Sequence, residues 1–441
     1  MSKNNKVKVG LVTLGCKVNQ CETAALAEDL RKKGFLSVSF NSFADIYIIN
    51  TCTVTAFSDF QSRQLIRRAK RANPKAKIIV TGCYAQIASA AIADIDGVNM
   101  VVGNSQKNTI PELLQNRNND SPFVLADNIL SQRYFCDMPL SEFSGRTRAF
   151  LKIQDGCNSF CSYCIVPFAR GKSRSLPPDN LLATVKKFAE KGYREIVLTG
   201  IHLGVYGYDL NPPTNLTAIL KQIISSRPEM RFRLSSIEPR EITDDLLHLF
   251  IKRDNLCPHL HIPLQSGDDK ILGLMKRNYN VAFYREQIKK ITASIKNISI
   301  GVDVMVGFPG EGDVEFNNTY RLLHDLPFSY FHVFPYSERP GTAAEKLHPK
   351  VPQKIKKERA AILRDLGAEK KGQFASRFLG KNIDVLVEKA KDNKTGLMKG
   401  FSQNYLPILL EINEFSRANT IVKVCANKLE NGKLYGKIVT G

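Results

Sequence analysis

Three closely spaced cysteines give the clearest indication of chemistry in this sequence. Cys157, Cys161 and Cys164 form the pattern C-x3-C-x2-C, directly after a predicted strand at residues 149–153. A structural zinc site normally takes four protein ligands, and no fourth Cys or His stands nearby in the sequence. An iron–sulfur cube held by three thiolates keeps one iron free for a substrate or cofactor. The spacing therefore favours such a cluster over zinc and over inert buried thiols.

A second cysteine trio is scattered along the first part of the chain. Cys16, Cys52 and Cys83 each stand at the end of a predicted strand, and glycines precede Cys16 and Cys83. Parallel strands present their carboxyl ends at one edge of a sheet, where open α/β sheets bind ligands. The strand-end placement favours convergence of the three thiols, with inert burial as the alternative. The three strands are residues 7–14, 45–50 and 77–81.

The elements around these cysteines predict an α/β protein. The first part alternates strands with amphipathic helices, which is typical of a parallel sheet. A second alternation begins near residue 146, and its six β/α units fit a partial (β/α)6 barrel better than a closed eightfold one. Between the two alternations, the irregular residues 104–145, with the polar run 116–120, predict a linker or a domain-crossing segment. The six predicted barrel strands are residues 149–153, 195–199, 231–235, 259–262, 301–306 and 330–334.

The last part of the chain changes character again. After a basic helical stretch at residues 349–380, five short strands separated by turn residues predict a small all-β barrel of the oligonucleotide-binding kind. The chain thus divides into three predicted domains. They are an α/β domain at 1–140, a barrel domain at 141–375 and a small β-barrel at 376–441.

Composition limits the classes of function. The 441-residue chain carries 63 Lys and Arg against 42 Asp and Glu, a formal net charge of +21, which favours a polyanionic partner such as nucleic acid. Trp is absent, so any base stacking must use Phe, Tyr, His or Arg. No apolar run approaches the roughly 20 residues that span a bilayer. We expect a cytoplasmic protein without a membrane partner.

The cysteine loop and the six β/α units resemble the radical S-adenosylmethionine enzymes, and further motifs narrow the resemblance to their methylthiotransferase branch. It covers essentially the whole chain, including a C-terminal barrel similar to the RNA-binding TRAM domain. Within the branch, Gly15-Cys16-Lys17-Val18-Asn19 is most similar to enzymes that modify N6-threonylcarbamoyladenosine in tRNA. The other motifs are Asn50-Thr51-Cys52, Thr81-Gly82-Cys83, Leu264-Gln265-Ser266-Gly267, Val306-Gly307-Phe308-Pro309-Gly310-Glu311, Tyr336-Ser337-Glu338-Arg339-Pro340-Gly341-Thr342 and Gly400-Phe401-Ser402-Gln403-Asn404-Tyr405.

The resemblance implies two 4Fe–4S clusters and S-adenosylmethionine as cofactors. Cys157, Cys161 and Cys164 would hold the catalytic cluster, whose open iron binds the methionine moiety. Cys16, Cys52 and Cys83 would hold an auxiliary cluster at which sulfur is methylated. One S-adenosylmethionine would donate the methyl group and another would supply a radical that abstracts the hydrogen from adenine C2.

The implied reaction adds a methylthio group to C2 of N6-threonylcarbamoyladenosine next to the anticodon. Its partners would be the tRNA anticodon stem-loop, a reductase or other electron donor, and a sulfur source, and we expect a monomer. Two other methylthiotransferase substrates stay open, N6-isopentenyladenosine in tRNA and a ribosomal protein. A non-catalytic iron–sulfur RNA-binding protein is the alternative from another class.

Further residues are expected to contact S-adenosylmethionine, with ordinary structural hydrogen bonding as the alternative for each strand-end residue. Tyr163 would approach the adenine, and Gly307 and Phe308 belong to the loop on the same side. Thr199, Gly200, Glu238, Gln265, Ser266 and Asp303 stand at or near strand ends, at the face where barrel active sites lie.

The remaining candidates are weaker. Lys17 would pair with the substrate carboxylate, or else would point to solvent or tRNA phosphate. Cys21 adds a spare thiol near the auxiliary trio. The histidines are expected to be structural or peripheral, and the other three cysteines to be ordinary thiols. The histidines considered are His202, His248, His259, His261 and His332, and the thiols are Cys136, Cys257 and Cys425.

Overall fold

The computed structural model describes residues 6–116, 123–143, 145–411, 417–430 and 432–439. It begins with a six-stranded, all-parallel sheet in the order β2-β1-β3-β4-β5-β6. The central strands β3 and β4 are almost wholly buried, as expected for a parallel sheet that is covered on both faces. The strands are β1 (Lys8–Thr13), β2 (Leu36–Val38), β3 (Ile46–Thr51), β4 (Lys77–Gly82), β5 (Val98–Val102) and β6 (Phe123–Leu125).

The helices of this first unit follow the strands closely. Helix α2 begins at an N-cap, because the Thr55 side chain accepts a hydrogen bond from the Ser58 N–H. It ends before Asn73-Pro74, as the sequence predicts. The helices are α1 (Lys17–Lys32), α2 (Ala56–Ala72), α3 (Cys83–Ile87), α4 (Ser89–Ala93) and α5 (Ile110–Asn116).

The predicted linker at 104–145 is wrong in part. Helix α5 lies within it, and β6 pairs with β5 as the sixth strand of the sheet. A three-residue strand is too short to show an alternating pattern, so its pairing depends on the neighbouring strand and not on local sequence. Of the polar run 116–120, residues 117–120 lie outside the described residues.

The middle of the chain forms the expected open parallel barrel. Three strands pair in the order β11-β10-β7 and three in the order β12-β13-β14, and parallel bridges such as Ser236 to His261 join the two halves. A short antiparallel pair, β8 and β9, follows β7. The strands are β7 (Ala149–Lys152), β8 (Gln154–Asp155), β9 (Arg174–Ser175), β10 (Glu195–Thr199), β11 (Arg231–Leu234), β12 (His259–His261), β13 (Ser299–Val306) and β14 (Tyr330–Pro335).

Helices cover this barrel, and one large apolar core lies between them and the strands. The basic stretch at 349–380 contains α13, which packs against β14. Its Arg359 is buried in an ion pair with Glu311 at 2.7 Å, so part of the charge of this stretch is structural. The helices are α6 (Val166–Arg170), α7 (Pro178–Glu190), α8 (Leu216–Ser226), α9 (Asp244–Lys252), α10 (Asp269–Leu274), α11 (Val281–Ser294), α12 (Asp313–Asp325) and α13 (Gln353–Ser376).

The C-terminal strands close into a five-stranded barrel in the order β15-β16-β17-β19-β18, as predicted. Buried Arg233 of the middle barrel donates to the carbonyls of Gln403 and Ser402, at 2.7 and 3.3 Å. Arg148 pairs with Glu388 at 2.8 Å. These contacts fix the small barrel against the larger one. Its strands are β15 (Asn382–Lys391), β16 (Met398–Ser402), β17 (Pro407–Leu410), β18 (Ile421–Glu430) and β19 (Lys433–Ile438).

Among the described residues, none of the helices combines the length and the apolar character that crossing a membrane requires.

Candidate functional site

The scattered cysteines follow three neighbouring strands of the first sheet. Cys16 is the N-cap residue of α1 after β1, Cys52 follows β3, and Cys83 begins α3 after β4. Gly15, at φ +92°, lets the chain pass close to this edge, since a Cβ there would lie 2.9 Å from the Cys52 sulfur. Parallel topology therefore brings together thiols that are far apart in sequence.

The three thiols interact with one another electrostatically. Burial, together with the nearby Cys83 and Cys16 thiols, raises the pKa of Cys52 to about 11. Burial also raises the pKa of Cys16, although that side chain keeps accessible surface. Cys16 therefore faces an internal space that protein surrounds on most sides.

The spacing of the thiols fits a cluster better than a single zinc ion. Tetrahedral zinc with Zn–S bonds of about 2.3 Å would hold its sulfurs within roughly 4 Å of one another. In the described part of the chain, one set of three possible ligand atoms lies within 4.8 Å of one another, and it contains no cysteine. An iron–sulfur cube places each thiolate on a different iron and so separates the sulfurs more widely.

The C-x3-C-x2-C loop runs between β8 and α6, and cations contact two of its cysteines. The Cys157 sulfur lies 3.4 Å from His202 Nδ1, and Arg277 donates to the Cys161 sulfur at 3.3 Å. Although burial alone would raise the pKa of Cys157, the hydrogen bond and charge of His202 lower it. Burial raises the pKa of Cys164 to about 12. The loop therefore presents three thiols, two of them in contact with cations, a donor set that fits an iron–sulfur cluster.

Aromatic rings pack beside this loop. Tyr163 is edge-on to Phe308 at 6.4 Å between ring centroids, and Phe308 is edge-on to Tyr336 at 5.3 Å. Gly307, at φ +71°, turns the chain at the end of β13, and its N–H donates to Glu311 at 2.8 Å. The structure thus brings Tyr163, Gly307 and Phe308 together on one side of the cysteine loop.

Three more of the predicted cofactor contacts lie near the cysteine loop, to which other side chains connect them. Glu238 forms an ion pair with Arg277, the same arginine that reaches Cys161. A Cβ on Gly200 would lie 2.8 Å from Gln154 Oε1, which accepts from the His202 N–H. Thr199 precedes Gly200 as the buried last residue of β10. Their roles as cofactor contacts stay predictions.

The remaining three predicted contacts have protein partners. Ser266 Oγ lies 3.3 Å from the Thr319 hydroxyl, in a buried position. Gln265 adopts φ +66° and pairs with β13 through its backbone. Asp303 lies 2.9 Å from His261 Nε2 and 3.2 Å from His332 Nδ1.

The cluster of Asp303 with the two histidines was not expected from the sequence. Its three ligand atoms form the set within 4.8 Å noted above. Although burial alone would raise the pKa of Asp303, the hydrogen bonds from His261 and His332 lower it. The three side chains come from the adjacent strands β12, β13 and β14. Their spacing in the sequence therefore does not predict the cluster.

A buried ionic network connects the two cysteine trios. Glu22 of α1 forms ion pairs with Arg170 at 2.9 Å, Lys152 at 3.1 Å and Lys107. Arg170 also pairs with Asp155 at 2.8 Å, just before the cysteine loop. Although burial alone would raise the pKa of Glu22, the three cations lower it well below its usual value. With three cations against two carboxylates, the network leaves positive charge close to the thiols.

Arg170 links this network to the scattered trio. Its charge lowers the pKa of Cys16 against the effect of burial, and the Cys83 thiol interacts with it electrostatically. Arg170 stands at the end of α6, directly after the C-x3-C-x2-C loop. One residue therefore contacts the elements that carry both trios.

Protein surrounds the Lys17 side chain in part, and burial lowers the pKa of its ammonium. It is half-buried, and the charges that act on its ammonium belong to Tyr405, Arg148, Arg233 and Asp303. These groups come from the C-terminal barrel and from the interior of the middle barrel. The Lys17 side chain therefore faces the space between the scattered trio and the barrel.

Cys21 is buried in the apolar core, which gives it a structural setting. The other three thiols are buried or half-buried, as expected.

Sequence reasoning missed several residues of this region. His202 was placed among structural or peripheral residues, whereas it lies beside Cys157 and 2.5 Å from Glu241. Gln154, Arg277 and the network around Arg170 were not singled out. Arg170 carries a local signal, because it closes the short helix after the cysteine loop, but the partners of the others lie on distant segments.

Two family models match the chain. The model described as "Uncharacterized protein family UPF0004" matches residues 8–103, which hold the scattered trio. The Radical SAM superfamily model matches residues 151–323, which hold the C-x3-C-x2-C loop. Each trio therefore lies within its own family match.

Curated relatives resemble the chain over nearly its full length. The chain is 40% identical to the threonylcarbamoyladenosine tRNA methylthiotransferase MtaB of Aquifex aeolicus, over 92% of this chain and 97% of the relative. The enzyme of the same name from Bacillus subtilis is 39% identical, over 94% and 93%. A tRNA-2-methylthio-N(6)-dimethylallyladenosine synthase of Clostridium botulinum is 32% identical, over 88% and 87%.

Among solved structures, a radical S-adenosylmethionine methyltransferase, TsrM, from Kitasatospora setae has a similar fold. The TM-score is 0.58, with 15% identity, over 77% of each chain. At this identity the likeness concerns the fold alone.

Proposed function

The chain belongs to the radical S-adenosylmethionine methylthiotransferase family, and we propose that it adds a methylthio group to C2 of N6-threonylcarbamoyladenosine next to the anticodon of tRNA. The observation that carries this substrate is the 40% identity, over nearly the whole length of both chains, to an enzyme named for it. Identity to an enzyme named for dimethylallyladenosine is lower, at 32%.

The cofactors are two 4Fe–4S clusters and S-adenosylmethionine. We propose Cys157, Cys161 and Cys164 as the ligands of one cluster. The ligands of the other would be Cys16, Cys52 and Cys83. When bound, the first supplies the electron that splits S-adenosylmethionine, and the second is the place where sulfur is delivered.

The residues around the Cys157 loop are suited to hold S-adenosylmethionine. Tyr163 and Phe308 supply ring surfaces for the adenine. Glu238 offers a carboxylate to the ribose or the methionine amino group, while Arg277 holds it beside Cys161. Thr199 and Gly200 lie at the strand end next to Gln154 and complete the proposed pocket.

The scattered trio is suited to receive the target base. Cys16 has accessible surface in the space between the sheet and the barrel. Both trios flank this space, and the Glu22–Arg170 network holds their elements in fixed relation. Holding the adenine between the two sites and excluding water is the contribution we assign to the protein.

Domain roles follow from this arrangement. We propose that residues 1–140 carry the auxiliary cluster, 141–375 the radical chemistry and 376–441 a TRAM-like RNA-binding barrel. The partner is tRNA. An external electron donor and a sulfur source are required because the reaction consumes both. We expect the protein to be cytoplasmic. We also expect it to be a monomer, and sedimentation of the purified chain would test this oligomeric state.

The substrate is tested by competition between two tRNAs. Reconstituted enzyme receives equal amounts of tRNA carrying N6-threonylcarbamoyladenosine and tRNA carrying N6-isopentenyladenosine, and nucleosides are quantified by mass spectrometry. We expect methylthiolation of the threonylcarbamoyl tRNA. Preference for the isopentenyl tRNA, or modification of a ribosomal protein with neither tRNA modified, would contradict the proposal.

A further inference from the structure

The N-terminal half of helix α2 exposes two aromatic rings side by side. Phe57 is 64% and Phe60 44% accessible to solvent, and their rings stack at 6.2 Å with an angle of 29°. Val54, just before the helix, is 53% accessible. Single exposed apolar side chains are ordinary, but a contiguous group indicates a contact surface.

The C-terminal half of the same helix exposes arginines. Arg67, Arg68 and Arg71 are exposed and, with Gln64, line an open cleft on the surface. In the described part of the chain, none of these three arginines forms an ion pair or a side-chain hydrogen bond. Their charge is therefore free to meet an external anion.

The rings and the arginines share one face of α2. Phe57, Phe60, Gln64, Arg67 and Arg71 follow one another at intervals of three or four residues, and such positions line one side of a helix. From the first to the last, this face runs about 21 Å at 1.5 Å per residue. The buried residues of α2 lie on the opposite side, and they are Asp59, Ser62, Ile66 and Ala69.

Contacts fix the aromatic end of α2 beside the scattered trio and the segment that follows β14. The Ser58 side chain lies close enough to the Cys52 thiol to lower its pKa against the effect of burial. On the other side, the Ala56 N–H donates to Ser337 Oγ at 3.0 Å, and buried Arg339, from the segment after β14, pairs with Asp59 at 2.6 Å. Phe57 and Phe60 therefore lie at the edge of the space where the target base must enter.

We propose that this face of α2 is a binding surface for single-stranded RNA, on which unpaired nucleotides next to the target adenosine stack on Phe57 and Phe60. The phosphates of the same strand contact Arg67, Arg68 and Arg71. This proposal rests on the proposed function and adds a surface outside the C-terminal barrel. Stacking on aromatic rings with arginines along the backbone is how proteins bind unpaired nucleotides.

The positive charge of α2 favours RNA as its binding partner over another protein or a second copy of this chain. Helix α2 carries five basic residues against one acidic residue, Asp59. That acid is already paired with Arg339. A self-contact would bring the positive faces of two copies together, in a chain whose net charge is +21. A polyanion with exposed bases matches both halves of the surface.

The test measures RNA binding by the full-length, reconstituted protein. The probe is an anticodon stem-loop with N6-threonylcarbamoyladenosine, and 2-aminopurine replaces the neighbouring loop nucleotide. In the wild type, we expect its fluorescence to be quenched on binding. In Phe57→Ala/Phe60→Ala, the quenching is lost and the dissociation constant rises tenfold or more, given that each stacked base contributes about 1–3 kcal/mol.

The arginines are tested by salt dependence. In Arg67→Gln/Arg68→Gln/Arg71→Gln, the slope of log K against log salt falls by about 2, at about 0.7 per phosphate of single strand. The matched control is Arg31→Gln/Lys32→Gln/Lys33→Gln, which removes the same charge at the C-terminal end of α1, away from the cysteine edge. Tyr134→Ala, an 86% exposed ring elsewhere, controls for the aromatic pair.

Three outcomes would contradict the proposal that this face of α2 binds RNA. They are unchanged quenching and affinity in both α2 variants, an equal loss in both controls, and a loss of self-association in the Phe variant. Iron content and cleavage of S-adenosylmethionine without RNA should stay at wild-type values, which shows that the variants fold. Failure of the substrate proposal would look different, because the wild type would then methylthiolate another tRNA while the binding test still reports on α2.

Discussion

The two cysteine trios that we propose as cluster ligands are brought together in different ways. Cys157, Cys161 and Cys164 lie within eight consecutive residues on one loop, whereas Cys16, Cys52 and Cys83 follow three different strands. Local spacing places the first trio almost independently of the rest of the fold. The second exists only because β1, β3 and β4 are parallel neighbours. Its assembly therefore depends on the packing of the whole sheet.

Their electrostatic surroundings differ as well. Charged side chains contact the local trio directly, since His202 contacts Cys157 and Arg277 contacts Cys161. In the scattered trio, burial is the main cause of the raised pKa values of Cys16 and Cys52. The charge of Arg170, from the buried ionic network, opposes this effect at Cys16. The difference suits a site that faces a small charged cofactor and a site that faces a large substrate.

Removing either trio gives the largest expected effect. Cys157→Ala/Cys161→Ala/Cys164→Ala should abolish reductive cleavage of S-adenosylmethionine and halve the iron and sulfide content. Cys16→Ala/Cys52→Ala/Cys83→Ala should also halve the iron content, but cleavage should continue while methylthiolation stops. Iron analysis and detection of 5′-deoxyadenosine measure both results.

The control for these variants is Cys21→Ala, because Cys21 is buried in the apolar core near Cys16 without belonging to the trio. It should keep both clusters. Loss of all iron, or of none, from one triple variant would contradict the two-site assignment.

The Glu22–Arg170 network should contribute more to the free energy of unfolding than either cysteine trio. Arg170→Met leaves Glu22 and Asp155 buried with fewer cations, and breaking such a pair costs about 3–5 kcal/mol. Denaturant unfolding of the reconstituted protein measures this cost. Arg31→Met is the matched control, since the exposed Arg31–Glu142 pair should contribute less than about 1 kcal/mol. Equal effects would show that the network does not hold the two units together.

Features marked by local sequence patterns could be predicted, whereas features made by contacts between distant segments could not. The spacing alone singled out the local trio as a candidate cluster site, and the repeated strand-end placement predicted that the scattered thiols converge. The open barrel and the five-stranded C-terminal barrel were also predicted correctly, because alternation and turn residues are local signals.

What was missed depends on distant contacts. The three-residue strand β6 is defined by its pairing with β5. His202 reaches Cys157 across 45 positions of sequence, and the His261–Asp303–His332 cluster comes from three strands. No spacing in the sequence marks these partners, because the fold and not the local chain brings them together.

A third prediction asks whether RNA affinity is separate from both trios. Lys389, Lys391 and Lys423 are exposed on the C-terminal barrel. Replacing all three with Gln should weaken tRNA binding roughly tenfold at physiological salt, because phosphate contacts are lost. Uncoupled cleavage of S-adenosylmethionine should stay unchanged.

Substitution is preferable here to deletion of the barrel. Deletion would leave buried Arg233 without its carbonyl partners at Ser402 and Gln403 and would disturb folding. Unchanged tRNA binding in the triple Gln variant would place the RNA contacts elsewhere.

The smallest expected effect concerns specificity beside the scattered trio. Lys17 is half-buried, and the charges of Arg148 and Arg233 act on its ammonium. The threonylcarbamoyl group carries a carboxylate that an isopentenyl group lacks. A hydrogen bond between charged groups contributes about 1.5–3 kcal/mol, part of which the two arginines should retain. We therefore expect Lys17→Gln to lower the preference for threonylcarbamoyl over isopentenyl tRNA about fivefold, with iron content unchanged. The competition assay measures the ratio, and an unchanged ratio would remove Lys17 from substrate selection while leaving the substrate itself in place.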